Sequence, residues 1–452
     1  MNSERSAISE VGTFPSRPRV VILGGGFAGS SAALALRGVD AEVILIDRRN
    51  HHIFQPLLYQ VAAAVLSPAE IAAPIRHLRQ RCPNLTVWMA EVTNVDLSNE
   101  ALTLSASNLP DRTLRFDYLV VAAGVHPTYF GHDEFAPFAP GLKSIADAEA
   151  IRSKLLSAYE FAEQCTDPVA RARALTFVLV GAGPTGVELA ASIAQMARIT
   201  LKKSFSRIDP SETKIVLLEG APRVLGSFHP SLSERAKAQL EKLGVEVRTD
   251  TIVQSVDANG VTLPGGRLES STVLWTAGVQ GASILASLES KADRAGRILV
   301  EPTLNLERYP NVYVVGDAAV FMQDGKPVPG VAQAALQQGA YAGQSIAAQI
   351  VGEPLTHPFR YHDRGNMAVV GKNFAIIERG SLRSSGALVW WIWAALHVLF
   401  LPQLQNRMRV FTQWLWSYLT GQRSSRIIDE YPPDQRSGEA VSTTAARPER
   451  TP

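Results

Sequence analysis

Four apolar residues in succession, Val20 to Leu23, run into Gly24, Gly25 and Gly26 and then into a stretch of alanine, serine and leucine. An uninterrupted apolar run bounded by glycine predicts a strand buried on both faces, and the stretch after it predicts a helix. A second apolar run, 43–46, ends in Asp47. The alternation returns further on: a strand at 175–180, a glycine turn at 181–186, a helix at 187–197 and a strand at 215–218 that ends in Glu219. Each unit then shows short apolar runs separated by polar turns. Residues 85–120 predict a small β-meander that returns to a central strand, 117–124, and the second unit repeats this with a strand at 272–278. A helix at 145–164 links the two units. A buried strand at 311–315, a helix entered through Pro329 and Gly330, and a final pair of strands within 359–380 complete the α/β pattern.

The glycine spacing gives these units their chemistry. In Gly24-x-Gly26-x-x-Gly29 the first glycine allows the tight turn, the second lets a pyrophosphate approach the backbone, and the third lets helix and strand pack closely. Asp47, 18 residues past Gly29, can accept from a ribose hydroxyl. Phosphates favour such a helix N-terminus because its free N–H groups and dipole are positive. Gly181-x-Gly183-Pro184-Thr185-Gly186 repeats the device. Its acid, Glu219, stands 33 residues past Gly186, which is read as an insertion at 195–213. A bare glycine triplet can be only a turn; two complete strand–turn–helix–strand–acid units predict two dinucleotide sites.

Composition narrows the class. Of 452 residues 46% are apolar and 19% charged, and 44 basic against 42 acidic residues leave a net charge of +2, so a globular protein is expected and no nucleic-acid partner. Cys82 and Cys165 form no closely spaced pair, which argues against a metal site, a disulfide framework and a thiol relay. The first 17 residues have no apolar core of a leader peptide and read, like 432–452, as a disordered tail.

Taken together, the glycine-turn stretch GGGFAG, FQPLLYQVA, the second turn GAGPTGVELA, GDAA, AQAALQQG, YHDRGNMAVVG and the tryptophan-rich C-terminus resemble the type II, non-proton-pumping NADH:quinone oxidoreductases, over residues 18 to 430. The resemblance implies two Rossmann-like domains, the second inserted into the first: an FAD domain from 18–145 and 297–386, and an NADH domain from 146–296. It implies non-covalent FAD at Gly24, Gly26, Phe27, Ala28, Gly29, Asp47, Ala123, Gly124, Gly316, Asp317, Ala332 and Gln333. NADH is expected at Gly181, Gly183, Pro184, Thr185, Gly186, Glu219, Ala277 and Gly278, and is preferred to NADPH because Glu219 repels a 2′-phosphate. Asp317 would bond the flavin ribityl chain. Glu188 would reach the nicotinamide side of the flavin, and Gln333 and Gln337 would orient the quinone carbonyls. Without the surrounding motifs Glu188 reads as a favourable charge at a helix start and the glutamines as a polar helix face.

The C-terminus bears on the electron acceptor. Residues 387–402 are apolar but too short to span a bilayer, and His397 interrupts them. Val410, Phe411, Trp414, Leu415, Tyr418 and Leu419 form a helical stripe, and five of the seven tryptophans lie between 390 and 416. With Arg407, Arg409, Arg423 and Arg426 these predict helices at 387–430 that lie on a bilayer. They would place a peripheral enzyme on the cytoplasmic side of the inner membrane, where it passes electrons from NADH to quinone. A core helix pair, or the interface of a homodimer, is the plainer reading. The alternatives for the whole chain are a soluble NAD(P)H-dependent reductase of a ferredoxin- or rubredoxin-type acceptor, and a flavin-bearing redox sensor.

Overall fold

The computed structural model describes residues 17–428 except 354 and 356, so the two tails expected to be disordered lie almost wholly outside it. One six-stranded sheet runs in the order Asn305–Leu306, Tyr309–Val314, Tyr118–Val121, Arg19–Leu23, Glu42–Asp47, Leu85–Met89. All of its pairings are parallel except at the Asn305–Leu306 edge. Its strands thus come from both sides of a long intervening stretch. That stretch carries its own four-stranded parallel sheet, in the order Val245–Arg248, Lys214–Leu218, Thr176–Val180, Thr272–Trp275. The short strands Val125–Pro127 and Val279–Gly281 pair antiparallel and tie the two together.

Two expectations about strands need correction. Leu85–Met89 does not belong to the meander; it is the far edge of the six-stranded sheet, paired with 43–47. As an edge strand it alternates buried and exposed positions, which is the pattern that a meander strand shows too. The meander consists of Glu91–Asp96, Ala101–Ala106 and Leu109–Arg115. The final pair of strands is a triplet: Leu382–Gly386 adds to Asn366–Val369 and Ala375–Arg379. Its sequence is polar and its side chains are exposed or half-buried, so no hydrophobic period announces it.

The helices Phe27–Ala35 and Ala332–Ile350 cross at backbone contact distance over the six-stranded sheet. A Cβ on Gly343 would stand 2.6 Å from the Ala32 carbonyl oxygen, and one on Gly339 would fall on that of Ala28. This crossing fixes the N-terminus of the second helix, and with it Gln333 and Gln337, beside the first glycine turn.

The C-terminal segment forms helices Ala387–Phe400 and Leu404–Thr420, and no helix among the described residues is long and apolar enough to cross a membrane. Each helix has an inner and an outer face. Val389, Trp393, Leu401 and Val410 are buried in the core that holds Leu58 and Tyr59. Leu388, Leu399, Leu404, Phe411, Trp416 and Leu419 stay more than half exposed. The stripe read from the sequence is therefore split. At 3.6 residues per turn it spans about 180°, so Val410 and Trp414 turn inward while Phe411, Leu415 and Leu419 turn outward.

Arg423 departs from its expected place on the lipid side and Arg407 is half-buried, while Arg409 and Arg426 stay exposed. Arg423 is buried and donates to the carbonyls of Ala63 (2.6 Å) and Ser192 (2.9 Å). Arg407 donates to the Leu401 carbonyl, and Arg426 to Ser204 and to the Arg423 carbonyl. A guanidinium that follows a helix end is as well suited to gathering free carbonyls as to meeting anions, and here the carbonyls have it. Asn406, also buried, donates to three carbonyls, Ala69, Glu70 and Ala72, at the end of the short helix Pro68–Ile71. The helix pair is thus fastened to residues 60–72 by polar contacts as well as by its apolar inner face.

Candidate functional site

The two glycine turns are built alike. Gly24 has φ +102° and Gly181 φ +100°, both in the region that only glycine enters freely. A Cβ on Gly29 would fall on the Gly24 carbonyl, and one on Gly186 on the Gly181 carbonyl, whereas Gly26 and Gly183 have nothing within 4 Å of theirs. The third glycine of each turn therefore serves packing, and the second presents bare backbone to open space. The acids are held identically as well. Asp47 accepts from Gly25 N–H at 2.7 Å and Arg49 N–H at 2.7 Å. Glu219 accepts from Ala182 N–H at 2.6 Å and Ala221 N–H at 2.9 Å. One bond on each oxygen aims each carboxylate and leaves lone pairs for ribose hydroxyls.

A cleft of about 2100 Å³ joins the first turn to the second unit and to the C-terminal helices. Gly24, Gly26, Phe27, Ala28, Asp47, Ala123, Gly124, Gly316, Asp317, Ala332, Gln333 and Gln337 all line it, while Gly29 is sealed in the helix packing. From the second unit's expected residues only Pro184, Thr185 and Glu188 reach the cleft; Gly181, Gly183, Gly186, Glu219, Ala277 and Gly278 stand outside it. The arrangement suits two dinucleotides that meet at one end. One would lie along the cleft with its pyrophosphate on the first turn, and the other would enter past Thr185.

Asp317 sits in a single helical turn, Gly316–Ala318, at the carboxyl end of Tyr309–Val314, with its carboxylate facing Gly330. Gly316 N–H donates to Gln338 Oε1 at 2.6 Å. Gln338, buried in the helix beside Gln337, is a site residue that the sequence does not single out; only its membership of a glutamine-rich helix start points toward it. Gln333 and Gln337 are held in place by the chain itself. Gln333 bonds Arg364 N–H and the Gly365 carbonyl, each at 3.0 Å. Gln337 bonds His362 through both the N–H (2.9 Å) and the carbonyl (3.0 Å) of that residue. Each amide bonds the backbone of 362–365 through its carbonyl and one N–H, which braces the cleft wall and leaves the second N–H of each amide unspent.

Glu188 lies at the floor of the cleft, where its Oε1 accepts from Val369 N–H at 3.2 Å. Burial raises its carboxyl to about 8, against the smaller pull of that bond, so it holds its proton at neutral pH. Tyr59 is buried next to it, and burial followed by the Glu188 charge pushes the phenol well above its ordinary value. Tyr59 accepts from Gln60, whose own carbonyl takes the Trp414 indole N–H at 2.7 Å. This chain from the cleft to the C-terminal helices lies in the stretch Leu58–Ala62, which reads in sequence as a short apolar piece between prolines. His51 and His52, on the short strand His51–Ile53, also line the cleft; burial lowers both, His52 to about 4, so His52 is neutral.

Because a neutral acid is favoured in the fold, Glu188 contributes to stability below its unfolded value of 4.5, and that contribution is lost as pH rises through about 8. Glu188→Gln, which is neutral at every pH, is expected to remove that loss. The fall in melting temperature between mildly acidic and alkaline buffer should be smaller in the variant, by the equivalent of a few kcal/mol at most, since each tenfold change in proton affinity is worth about 1.4 kcal/mol. An equal fall in both proteins would place the pH sensitivity elsewhere.

Residues 18–339 match the pyridine nucleotide-disulphide oxidoreductase family. The chain is 42% identical over 429 residues to the type II NADH:quinone oxidoreductase Ndh of Mycobacterium tuberculosis, covering 92% of this chain and 91% of that one. It is also 42% identical over 428 residues to the type II NADH:quinone oxidoreductase NdhA of the same organism, covering 91% and 89%. Among solved structures, NDH2 of Plasmodium falciparum in complex with NADH superposes with a TM-score of 0.80 at 20% identity, over 90% of this chain and 99% of that one. The chain therefore belongs to the type II NADH:quinone oxidoreductases, within the pyridine nucleotide-disulphide oxidoreductase family.

Proposed function

We propose that the protein transfers electrons from NADH to a membrane quinone through FAD held in the cleft, working as a peripheral enzyme on the cytoplasmic face of the inner membrane. The observation that carries this reading is the lining of the cleft. It brings together the bare backbone at Gly26, Thr185 and Glu188 of the second unit, and Leu396, Phe400 and Leu404 of the C-terminal helices. In this reading 18–145 and 297–386 form the FAD domain, 146–296 the NADH domain and 387–430 the docking segment.

FAD, when bound, accepts a hydride from the nicotinamide and passes two electrons to the quinone. The residues present fit it: the open face of Gly26 admits a pyrophosphate, Asp47 is aimed at a ribose, and Asp317 faces the cleft where a polyhydroxyl chain would run. The helix Ala332–Ile350 points its N-terminus into the same space, and its unpaired N–H groups favour negative charge there. Thr185 and Glu188 form the wall against which a nicotinamide ring would lie; as a neutral acid, Glu188 adds no repulsion toward a reduced flavin. Glu219, fixed by two backbone bonds, holds the adenosine ribose of NADH and disfavours a 2′-phosphate. The deciding experiment is anaerobic mixing of the purified protein with NADH and then with quinone, followed by flavin absorbance. Bleaching by NADH and recovery with quinone are expected; a flavin that NADH does not bleach would end the proposal.

The outward face of the helix pair supports docking. Leu388 is 75% exposed, Leu404 72%, Leu419 71% and Leu399 61%, and large apolar side chains exposed together on one helix pair mark an interaction surface. Arg409, exposed between them, suits an anionic headgroup. The double variant Leu399→Glu with Phe411→Glu is expected to weaken liposome binding by at least about tenfold, since each side chain contributes on the order of 1–2 kcal/mol even when partly inserted. Reduction of a soluble acceptor such as ferricyanide should be unchanged. Liposome sedimentation checks the first and steady-state rates the second; undiminished binding would show that this face is not the anchor.

A further inference from the structure

His397 sits where the cleft reaches the C-terminal helices, between two aromatic rings. It stacks on Trp393 with ring centres 4.4 Å apart and meets Phe54 edge-on at 6.1 Å. Its Nδ1 lies 2.8 Å from the Trp393 carbonyl oxygen, one turn back along the helix. A carbonyl only accepts, so Nδ1 carries the proton of a neutral ring and Nε2 is left with a lone pair. Burial supports that state, lowering the imidazole to about 4. Among the described residues no protein group bonds Nε2, and it is not sealed from the cleft. To offer an N–H to the cleft the ring would have to give up its Nδ1–H bond to the Trp393 carbonyl, so Nε2 stays an acceptor.

From this we infer that His397 is a specificity-determining residue of the acceptor site, which accepts a hydrogen bond from the hydroxyl of the quinol product. The inference rests on the cleft mouth being the quinone entrance. A quinone ring presents carbonyl oxygens, which accept; after gaining two electrons and two protons its oxygens carry hydrogens and donate. An obligate acceptor at the mouth therefore discriminates between the two forms in favour of the reduced one. His397 gives and takes no proton in this role. Its neighbours Leu396 and Phe400 supply the apolar walls for the ring, and Nε2 is the polar atom that distinguishes a donor from a non-donor. The consequence for turnover is that quinol lingers at the mouth, so that product inhibition is built into the site.

The test uses the full-length, flavin-loaded, oxidised protein and a redox-quiet pair of ring compounds, α-naphthol and its methyl ether, whose binding is measured by equilibrium dialysis. The naphthol can donate and the ether cannot. In the wild-type protein the naphthol is expected to bind about fivefold tighter than the ether, as one neutral hydrogen bond allows. His397→Phe keeps the aromatic stack but has no acceptor, and the ratio should collapse toward one. His397→Gln retains an acceptor and should keep part of it, and serves if the phenylalanine variant loses its flavin. An unchanged ratio in the variants, with a short-tailed quinone still displacing the naphthol, overturns the assignment to His397 but leaves the mouth as the entrance. Failure of that quinone to displace the naphthol from the wild-type protein overturns the entrance itself, and the inference with it.

Discussion

Gly339→Val is expected to yield protein without flavin. The two helices that frame the first glycine turn touch through backbone at this residue, where an added Cβ would fall on the carbonyl oxygen of Ala28 and within 3 Å of its carbonyl carbon and Cα. A flexible side chain could move aside; backbone in the middle of a helix cannot. Phe27–Ala35 would have to lift from Ala332–Ile350, and overpacking of this kind costs about 3 kcal/mol or more. The displacement also moves the turn itself, because Gly24, Gly26 and the helix start are one piece. Flavin-to-protein absorbance ratio after purification, with Gln344→Val on the exposed face of the same helix as control, measures the effect. A Gly339→Val protein with full flavin would show that the helix crossing is not what holds the site open.

Removal of everything after Gly380 is expected to destroy the protein rather than free it from the membrane. Were the last helices only an anchor, they could be cut away, because both glycine turns, Asp317 and Gln333 precede the cut. Their buried inner face argues for the opposite outcome. The cut deletes Val389, Trp393, Leu401 and Val410 from the core, each worth about 1.5–3 kcal/mol when fully buried, and their sum approaches the whole stability of an ordinary domain. It also strips the edge strand Leu382–Gly386 and opens the carbonyls of Ala63, Ser192 and residues 69–72 that Arg423 and Asn406 satisfy. Tyr59 and Gln60, beneath Trp414, would be exposed next to Glu188. Insoluble, flavin-free protein is the expected outcome, read from the soluble fraction and its flavin content. A soluble truncated form that still reduced ferricyanide with NADH would show that the inner face contributes little.

Both predictions concern contacts between segments far apart in the chain, and the boundary between what was legible and what was not runs along that line. The glycine turns, their buried strands and the acids Asp47 and Glu219 could be read directly. Their chemistry depends on residues within one strand–turn–helix unit, where spacing dictates geometry, and the turns at Gly24 and Gly181 have the same shape for that reason. Asp317 and Glu188 were found through the motifs beside them. Family membership was legible too, since those motifs recur in order along the chain.

Other features depended on the fold. Leu85–Met89 looked like a meander strand because an edge strand, covered on one face, has the same period. Gln333 and Gln337 are braced by the backbone of residues 362–365, 25 to 32 residues on, which no local pattern reveals. Arg423 read as a surface cation because arginine's sequence neighbours do not say whether carbonyls or water will surround it; only the approach of residues 63 and 192 decides that. The same holds for His397, which in sequence merely interrupts an apolar run. By itself the sequence determined two nucleotide turns, their acids and an apolar C-terminus. The tertiary structure decided which side of that C-terminus is core, which is surface, and that the cleft ends between the two, because burial is a property of distant segments meeting and not of any one segment's composition.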